Sequence, residues 1–126
     1  MKITRGYRVE AAHFLTGVPP EHKCSRMHGH HYHIKVTVDG PIDPVTGMVI
    51  DYWDIDKVVW PVLERLDHQC INDAIDNPTG ELIAVWLGGQ ISELPGLTQV
   101  EVFETPDCSA IWEAPSVAGR HPSRAA

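Results

Sequence analysis

Basic side chains are in short supply: Lys and Arg total 10 against 17 Asp and Glu, for a formal charge of −7 on 126 residues. Binding DNA or RNA without sequence preference needs the opposite balance, because cations must displace the phosphate counterions. Nucleic acid is therefore not an expected partner. Cysteine is also scarce. Cys24, Cys70 and Cys108 are odd in number, far apart and free of any C-x-x-C pair. That argues against a disulfide framework and against a cysteine-rich zinc site. Long apolar runs are missing, since none approaches the roughly 18–20 residues that span a bilayer. The segment Met1 to Arg8 holds no hydrophobic signal core. The expectation is a cytoplasmic protein with reduced thiols and no membrane partner. Internal repeats and linker-like stretches are absent, so one domain is expected.

Histidine, by contrast, is plentiful and clustered. Six of the eight (His13, His22, His28, His30, His31, His33) fall within the first 33 residues. Charge is segregated in the same way: residues 1–35 balance at +4 and the remainder at −11. A basic, histidine-rich third could hold an anion through its local field. Alternatively, the acidic remainder is only the solvated face of helices.

Periodicity lays out the elements. Residues 2–14 alternate, with Ile3, Tyr7, Val9, Ala11 and His13 on one parity, as in a half-buried strand. Gly17, Pro19, Pro20 and Gly29 punctuate a loop over 15–29. Residues 30–39 alternate again: His30, Tyr32, Ile34, Val36 and Val38 face one way, and His31, His33, Lys35, Thr37 and Asp39 the other. Asp51 or Asp54 can cap a helix carrying Ile55, Val58, Val59, Val62, Leu63 and Leu66 at helical spacing. Pro61 removes an amide within it and predicts a distortion. Asn77-Pro78-Thr79 opens a second helix running to about Ile91. Strands follow around Val100–Glu104 and Ser109–Trp112, and residues 114–126 are expected to be a disordered tail. Strand, strand, helix, helix, strand, strand is an α+β order: a four-stranded antiparallel sheet with two helices on one face.

Chemistry concentrates at His28-Gly29-His30. On extended backbone i and i+2 point the same way, so both imidazoles can reach one ion, and His13 could come alongside from a neighbouring strand. Three histidines with an open fourth position describe a catalytic zinc centre; iron, nickel or copper would also accept them. His31 and His33 form a rival i, i+2 pair, but on the parity that looks solvated. Cys24 precedes the pair, flanked by Lys23 and Arg26, cations that favour thiolate. It could be a base, a nucleophile or a fourth ligand closing the site. Cys70 and Cys108 lack such neighbours and read as structural. Asp67-His68 is either an acid–base pair or a helix-end feature. Glu104 lies in a strand among apolar residues. It is either an edge glutamate in water or an inward carboxylate able to accept two parallel N–H donors from a planar heterocycle.

Together these pieces resemble the 6-pyruvoyl-tetrahydropterin synthase / 6-carboxytetrahydropterin synthase family. The matching segments are Glu10-Ala11-Ala12-His13, Cys24 to His30, Thr46-Gly47 with Ile50-Asp51, Leu66-Asp67-His68, Asn77 to Glu81, and Glu104-Thr105, in family order. The resemblance implies a T-fold, one synthase domain over residues 1–113, and closure of sheets into a β-barrel in a homohexamer of two trimers. It also implies one zinc per subunit on His13, His28 and His30, with Cys24 as proton acceptor and Asp67 with His68 as proton relay. Glu104 is implied as pterin anchor and relay member, and Thr79 and Glu81 as substrate-binding residues at a helix start. The thiol is followed by Ser25-Arg26-Met27 and then His28-Gly29-His30. This short spacing resembles the queuosine branch, which converts 7,8-dihydroneopterin triphosphate and water to 6-carboxy-5,6,7,8-tetrahydropterin, acetaldehyde and triphosphate. The lysine–arginine loop suits the triphosphate. The 6-pyruvoyl branch, which eliminates triphosphate without breaking a carbon–carbon bond, is the implied alternative. A non-catalytic zinc-binding domain is a more distant one.

Overall fold

Alternating apolar residues carry the chain into two long strands, β1 (Lys2–His13) and β2 (His28–Asp39), in a computed structural model that describes residues 1–115. The strands pair antiparallel along their whole length, from Lys2 opposite Asp39 to His13 opposite His28. Helices α1 (Tyr52–Leu63) and α2 (Gly80–Gln90) follow, then β3 (Leu97–Thr105) and β4 (Cys108–Glu113). The sheet order is β1-β2-β3-β4, antiparallel throughout, so β1 and β4 are its edges. The α+β architecture expected from the element order is the one observed. No helix among the described residues is long and apolar enough to cross a membrane.

One face of the sheet is apolar and the helices cover it. Val9, Ile34, Val36, Val100 and Val102 are each at most 1% exposed. From α1, Ile55, Val59 and Leu63 join them at four-residue spacing, which keeps their side chains on one stripe. Burying each such side chain contributes roughly 1.5–3 kcal/mol. Asp51 caps α1 by accepting the Trp53 N–H at 2.9 Å. Pro61 lies within the helix, which ends two residues later. The chain then tightens through i to i+3 bonds from Arg65 to Val62 and from Leu66 to Leu63. Leu66 is buried as its spacing required, but from this turn rather than from the helix.

The structure departs from the periodicity elsewhere. Strand β2 starts at His28, two residues earlier than its alternation indicated, because pairing with β1 extends it. The loop before it contains a turn of 3-10 helix, Lys23–Ser25. Thr37, on the parity expected to be solvated, is buried between Thr4 and Gln99 of the flanking strands, since β2 is an inner strand. In α2, Ile83, Ala84 and Leu87 make the packing, while Leu82 and Val85 remain exposed. Of the expected tail, Ala114 is tied back to Thr98 by a backbone hydrogen bond of 2.8 Å. Residues 116–126 lie outside the described residues.

Helix α2 approaches β4 closely at Gly88. A Cβ there would sit 2.6 Å from the Trp112 ring, a rigid plane that cannot yield as a flexible side chain would. Gly88→Ala is expected to cost about 1–3 kcal/mol through overpacking, even though alanine gains up to about 1 kcal/mol in helix propensity. Denaturant unfolding measures the difference, and a more stable variant would contradict this packing.

Candidate active site

The register of β1 and β2 decides which histidines meet. His13 ends β1 directly opposite His28, and Ala11 faces His30 across the pair. The side chains of His13, His28 and His30 therefore rise together on the helix-covered side of the sheet. One ring nitrogen from each lies within 4.8 Å of the others, with ring centroids 4.5 to 5.0 Å apart. This is the one such group of potential metal ligands among the described residues. His31 and His33 point to the opposite face, as parity required; His31 pairs with Glu10 and His33 packs on Phe103.

The donor set fits a divalent metal for a specific reason. The Nδ1–H of His13 donates to the Pro78 carbonyl at 2.7 Å, and the Nδ1–H of His28 donates to the Arg26 carbonyl at 2.7 Å. Carbonyl oxygens can only accept, so these bonds set both tautomers. Both Nε2 atoms then present lone pairs, and they face each other at 2.9 Å. Neutral rings in that arrangement repel unless a shared proton or a cation lies between them. Backbone carbonyls holding the distal nitrogens are the usual supporting shell of metal-binding histidines. Burial pushes the His13 imidazole below the ordinary histidine range, against the opposing effect of the Pro78 bond, and burial likewise lowers His30. His13 and His30 are thus kept in the deprotonated form that metals bind.

Glu104 approaches from β3. It is not an edge glutamate, because β3 lies inside the sheet. Its Oε2 is 3.6 Å from His13 Nε2 and 3.8 Å from His30 Nε2. Glu104 also lines a groove of about 550 Å³ between α2 and β4, together with Gly80, Glu81, Cys108 and Trp112. Gly80 makes room for it: a Cβ at Gly80 would lie 3.3 Å from Glu104 Oε1. The Thr79 hydroxyl caps α2 by accepting the Leu82 N–H at 3.1 Å. Glu81 is exposed on the groove wall.

Cys24 sits in the 3-10 turn, half-buried, and its carbonyl accepts the Leu15 N–H at 2.8 Å. It is outside the convergent histidine group, so the geometry does not form a closed Cys-His₃ centre. Cys108 is exposed and lines the groove, unlike the structural thiol expected from its sequence surroundings. Cys70 is half-buried against Met27 and Asn72.

Asp67 and His68 are held against the outer edge of β1. The Asp67 Oδ1 accepts the Glu10 N–H at 2.9 Å, the His68 N–H donates to the Glu10 carbonyl, and Ala12 N–H donates to Gln69 O at 3.1 Å. The Asp67 Oδ2 lies 3.0 Å from His68 Nδ1. His68 has φ +58°, the left-handed region that costs a non-glycine residue energy and often marks a functional position. Its side chain is 76% exposed. No hydrogen bond or ion pair among the described residues joins this pair to Cys24. Of these three residues only His68 lines the concavity that Glu10 and His30 also line.

The Glu10 N–H holds the Asp67 carboxyl below the ordinary carboxylate range; burial opposes this and His68 assists. The folded value lies below the unfolded one, so the ionised carboxylate stabilises the fold above about pH 4. That contribution is lost as pH falls through the folded value. Asp67→Asn is expected to be less stable than wild type at pH 7, with the gap closing at pH 3. Urea unfolding at both pH values checks it; a gap independent of pH would remove the charge from the account.

Sequence periodicity did not reveal the carbonyls of Pro78 and Arg26, the clearance at Gly80, or Tyr32 beneath the histidines. Only Tyr32 carried a signal, as the next residue of the same parity after His30.

Known proteins similar to this chain in sequence or fold carry the names of pterin enzymes. The family model described as 6-pyruvoyl tetrahydropterin synthase matches residues 2–115. The chain is 36% identical over 124 residues to a Synechocystis protein named 6-carboxy-5,6,7,8-tetrahydropterin synthase, covering 90% of this chain and 93% of that one. It is 42% identical over 71 residues to a Pyrococcus furiosus protein named dihydroneopterin monophosphate aldolase, covering 56% and 60%. Among solved structures, the 6-pyruvoyl tetrahydropterin synthase of Caenorhabditis elegans superposes with a TM-score of 0.83 at 25% identity, covering 91% of this chain and 96% of that one.

Proposed function

The chain belongs to the 6-pyruvoyl tetrahydropterin synthase family, and from that premise we propose that it is a zinc-dependent carbon–carbon lyase. Its reaction is 7,8-dihydroneopterin triphosphate and water to 6-carboxy-5,6,7,8-tetrahydropterin, acetaldehyde and triphosphate, in queuosine and 7-deazaguanine biosynthesis. The observation that carries the proposal is the set of three converging histidines, two of them with distal nitrogens held by carbonyls, beside an inward glutamate. The Synechocystis relative's name and the short Cys24 to His28 spacing support the choice of branch. A relative named an aldolase supports carbon–carbon cleavage, the bond change that aldolases perform.

His13, His28 and His30 would hold the zinc, which supplies Lewis acidity and a template for the side-chain diol of the substrate. Glu104 accepts parallel N–H donors of the pterin ring, and the groove it shares with Glu81 and the Thr79 helix start receives the ring. Cys24 takes the proton from the substrate side chain. His68, oriented by Asp67, carries protons to and from that position. Lys23 and Arg26 meet the triphosphate. Residues 1–113 act as one synthase domain in the cytoplasm. The edge strands β4 and β1, the latter apart from the turn docked at Glu10 and Ala12, suit closure of the sheet into a barrel of a homohexamer.

The competing reading is the 6-pyruvoyl reaction, favoured by the name of the Caenorhabditis relative. Product analysis separates the two. Zinc-loaded protein incubated with 7,8-dihydroneopterin triphosphate is expected to release acetaldehyde and a 6-carboxypterin. Triphosphate release with a 6-pyruvoyl product and no acetaldehyde would assign the other branch, and no turnover would leave a binding domain.

A further inference from the structure

Tyr32 presents an anomaly that the proposed chemistry does not use. It is 2% exposed, and its hydroxyl is buried with no hydrogen-bond partner among the described residues. An orphaned hydroxyl is rare in folded proteins and costs stability, and phenylalanine would fill the same volume without it. The ring lies edge-on to two of the three histidines, with centroids 5.3 Å from His30 and 5.9 Å from His13. The β2–β3 register, His33 opposite Phe103 and Ile34 opposite Val102, sets Tyr32 beside Glu104 when carried one residue further. Both side chains are on the helix-covered face. A phenol is neutral at physiological pH and, with no partner yet, can serve as a donor.

Glu104 is the acceptor that the extended register puts on the neighbouring strand position. Without metal its carboxylate leans on the Nε2 atoms of His13 and His30. The Pro78 bond already leaves His13 Nε2 without a proton, and a metal on His30 Nε2 would deny the carboxylate the remaining one. The carboxylate is only 32% exposed, so it needs a donor from the protein. We propose that Tyr32 is a positioning residue: when the three histidines take a metal, its hydroxyl donates to the Glu104 carboxylate and holds it in place for the ligand. This rests on the metal-binding part of the proposed function, not on the identity of the pterin product. Clearance at Gly80 leaves the carboxylate room to turn.

The test uses the full chain with zinc alone as probe. Zinc affinity is measured by competition with a chelating dye for wild type, Tyr32→Phe, Glu104→Gln and the double variant, together with the melting temperature of each metal-free protein. Tyr32→Phe is expected to melt at or above wild type without metal, because the orphaned hydroxyl is gone. It is expected to bind zinc about tenfold more weakly, the size of a hydrogen bond to a charged group. In the Glu104→Gln background the same substitution is expected to change zinc affinity much less, because the charged acceptor is absent. Equal zinc affinity of Tyr32→Phe and wild type would overturn the proposal. So would an undiminished effect in the Glu104→Gln background, or a clear fall in melting temperature without metal. A wild type that binds no zinc overturns it too, but by removing the metal reading itself, which the wild-type titration shows separately.

Discussion

His28→Ala is expected to abolish tight zinc binding and, with it, turnover. Removing a group that merely orients a metal ligand already costs about 10–100-fold in affinity or activity, and His28 is itself one of the three converging imidazoles. It is a better site for the test than His13, which is 1% exposed and would also leave a cavity. The comparison that gives the result meaning is His31→Ala. That residue has the same chemistry three positions along the chain, yet its side chain is 86% exposed on the opposite face and touches Glu10. It is expected to retain zinc and activity near wild type. Metal content by elemental analysis and a chelator titration read both variants. Comparable losses in the two would mean that the register of β1 and β2 does not select the ligands.

Cys24→Ala is expected to lower turnover by about 10²–10⁴-fold, the range for a positioned proton-transfer group, while zinc affinity and melting temperature stay close to wild type. The physical ground is its placement. Cys24 lies in a half-buried turn outside the histidine group, so its thiol contributes neither a ligand nor much of the core. A closed Cys-His₃ centre makes the opposite forecast, in which the same substitution releases zinc and destabilises the fold. Steady-state rates, metal stoichiometry and thermal unfolding on one preparation separate them. Loss of metal together with activity would return Cys24 to the ligand set.

The two substitutions also probe different levels of organisation. His28 works through a cross-strand pair, since β1 must present His13 opposite it. Cys24 works through a short turn whose position depends on the bond from Leu15 to its carbonyl. Asp67 and His68 depend on a third contact, the docking of their turn on the edge of β1 at Glu10. The candidate site is thus assembled where β1 meets each of its neighbours.

Sequence alone determined the local geometry of this protein. Period-two alternation in β1 and β2 is a property of extended backbone, so it told His28 and His30 from His31 and His33 before any partner strand was known. Helical spacing from Ile55 to Leu63 and the Thr79 cap are equally local. Matched segments in family order also pointed to the pterin synthases. Tertiary structure decided whatever depends on residues far apart in the chain. Glu104 became an inward neighbour of His13 because β3 is an inner strand, which no pattern within β3 could state. The tautomers of His13 and His28 were set by carbonyls of Pro78 and Arg26, and main-chain acceptors leave no mark in side-chain identity. Tyr32 read as one more residue of the buried parity, and only the fold left its hydroxyl buried without a partner among the described residues. Periodicity records which way each side chain points; what it meets there is fixed by long-range pairing, and that is where this site's chemistry arises.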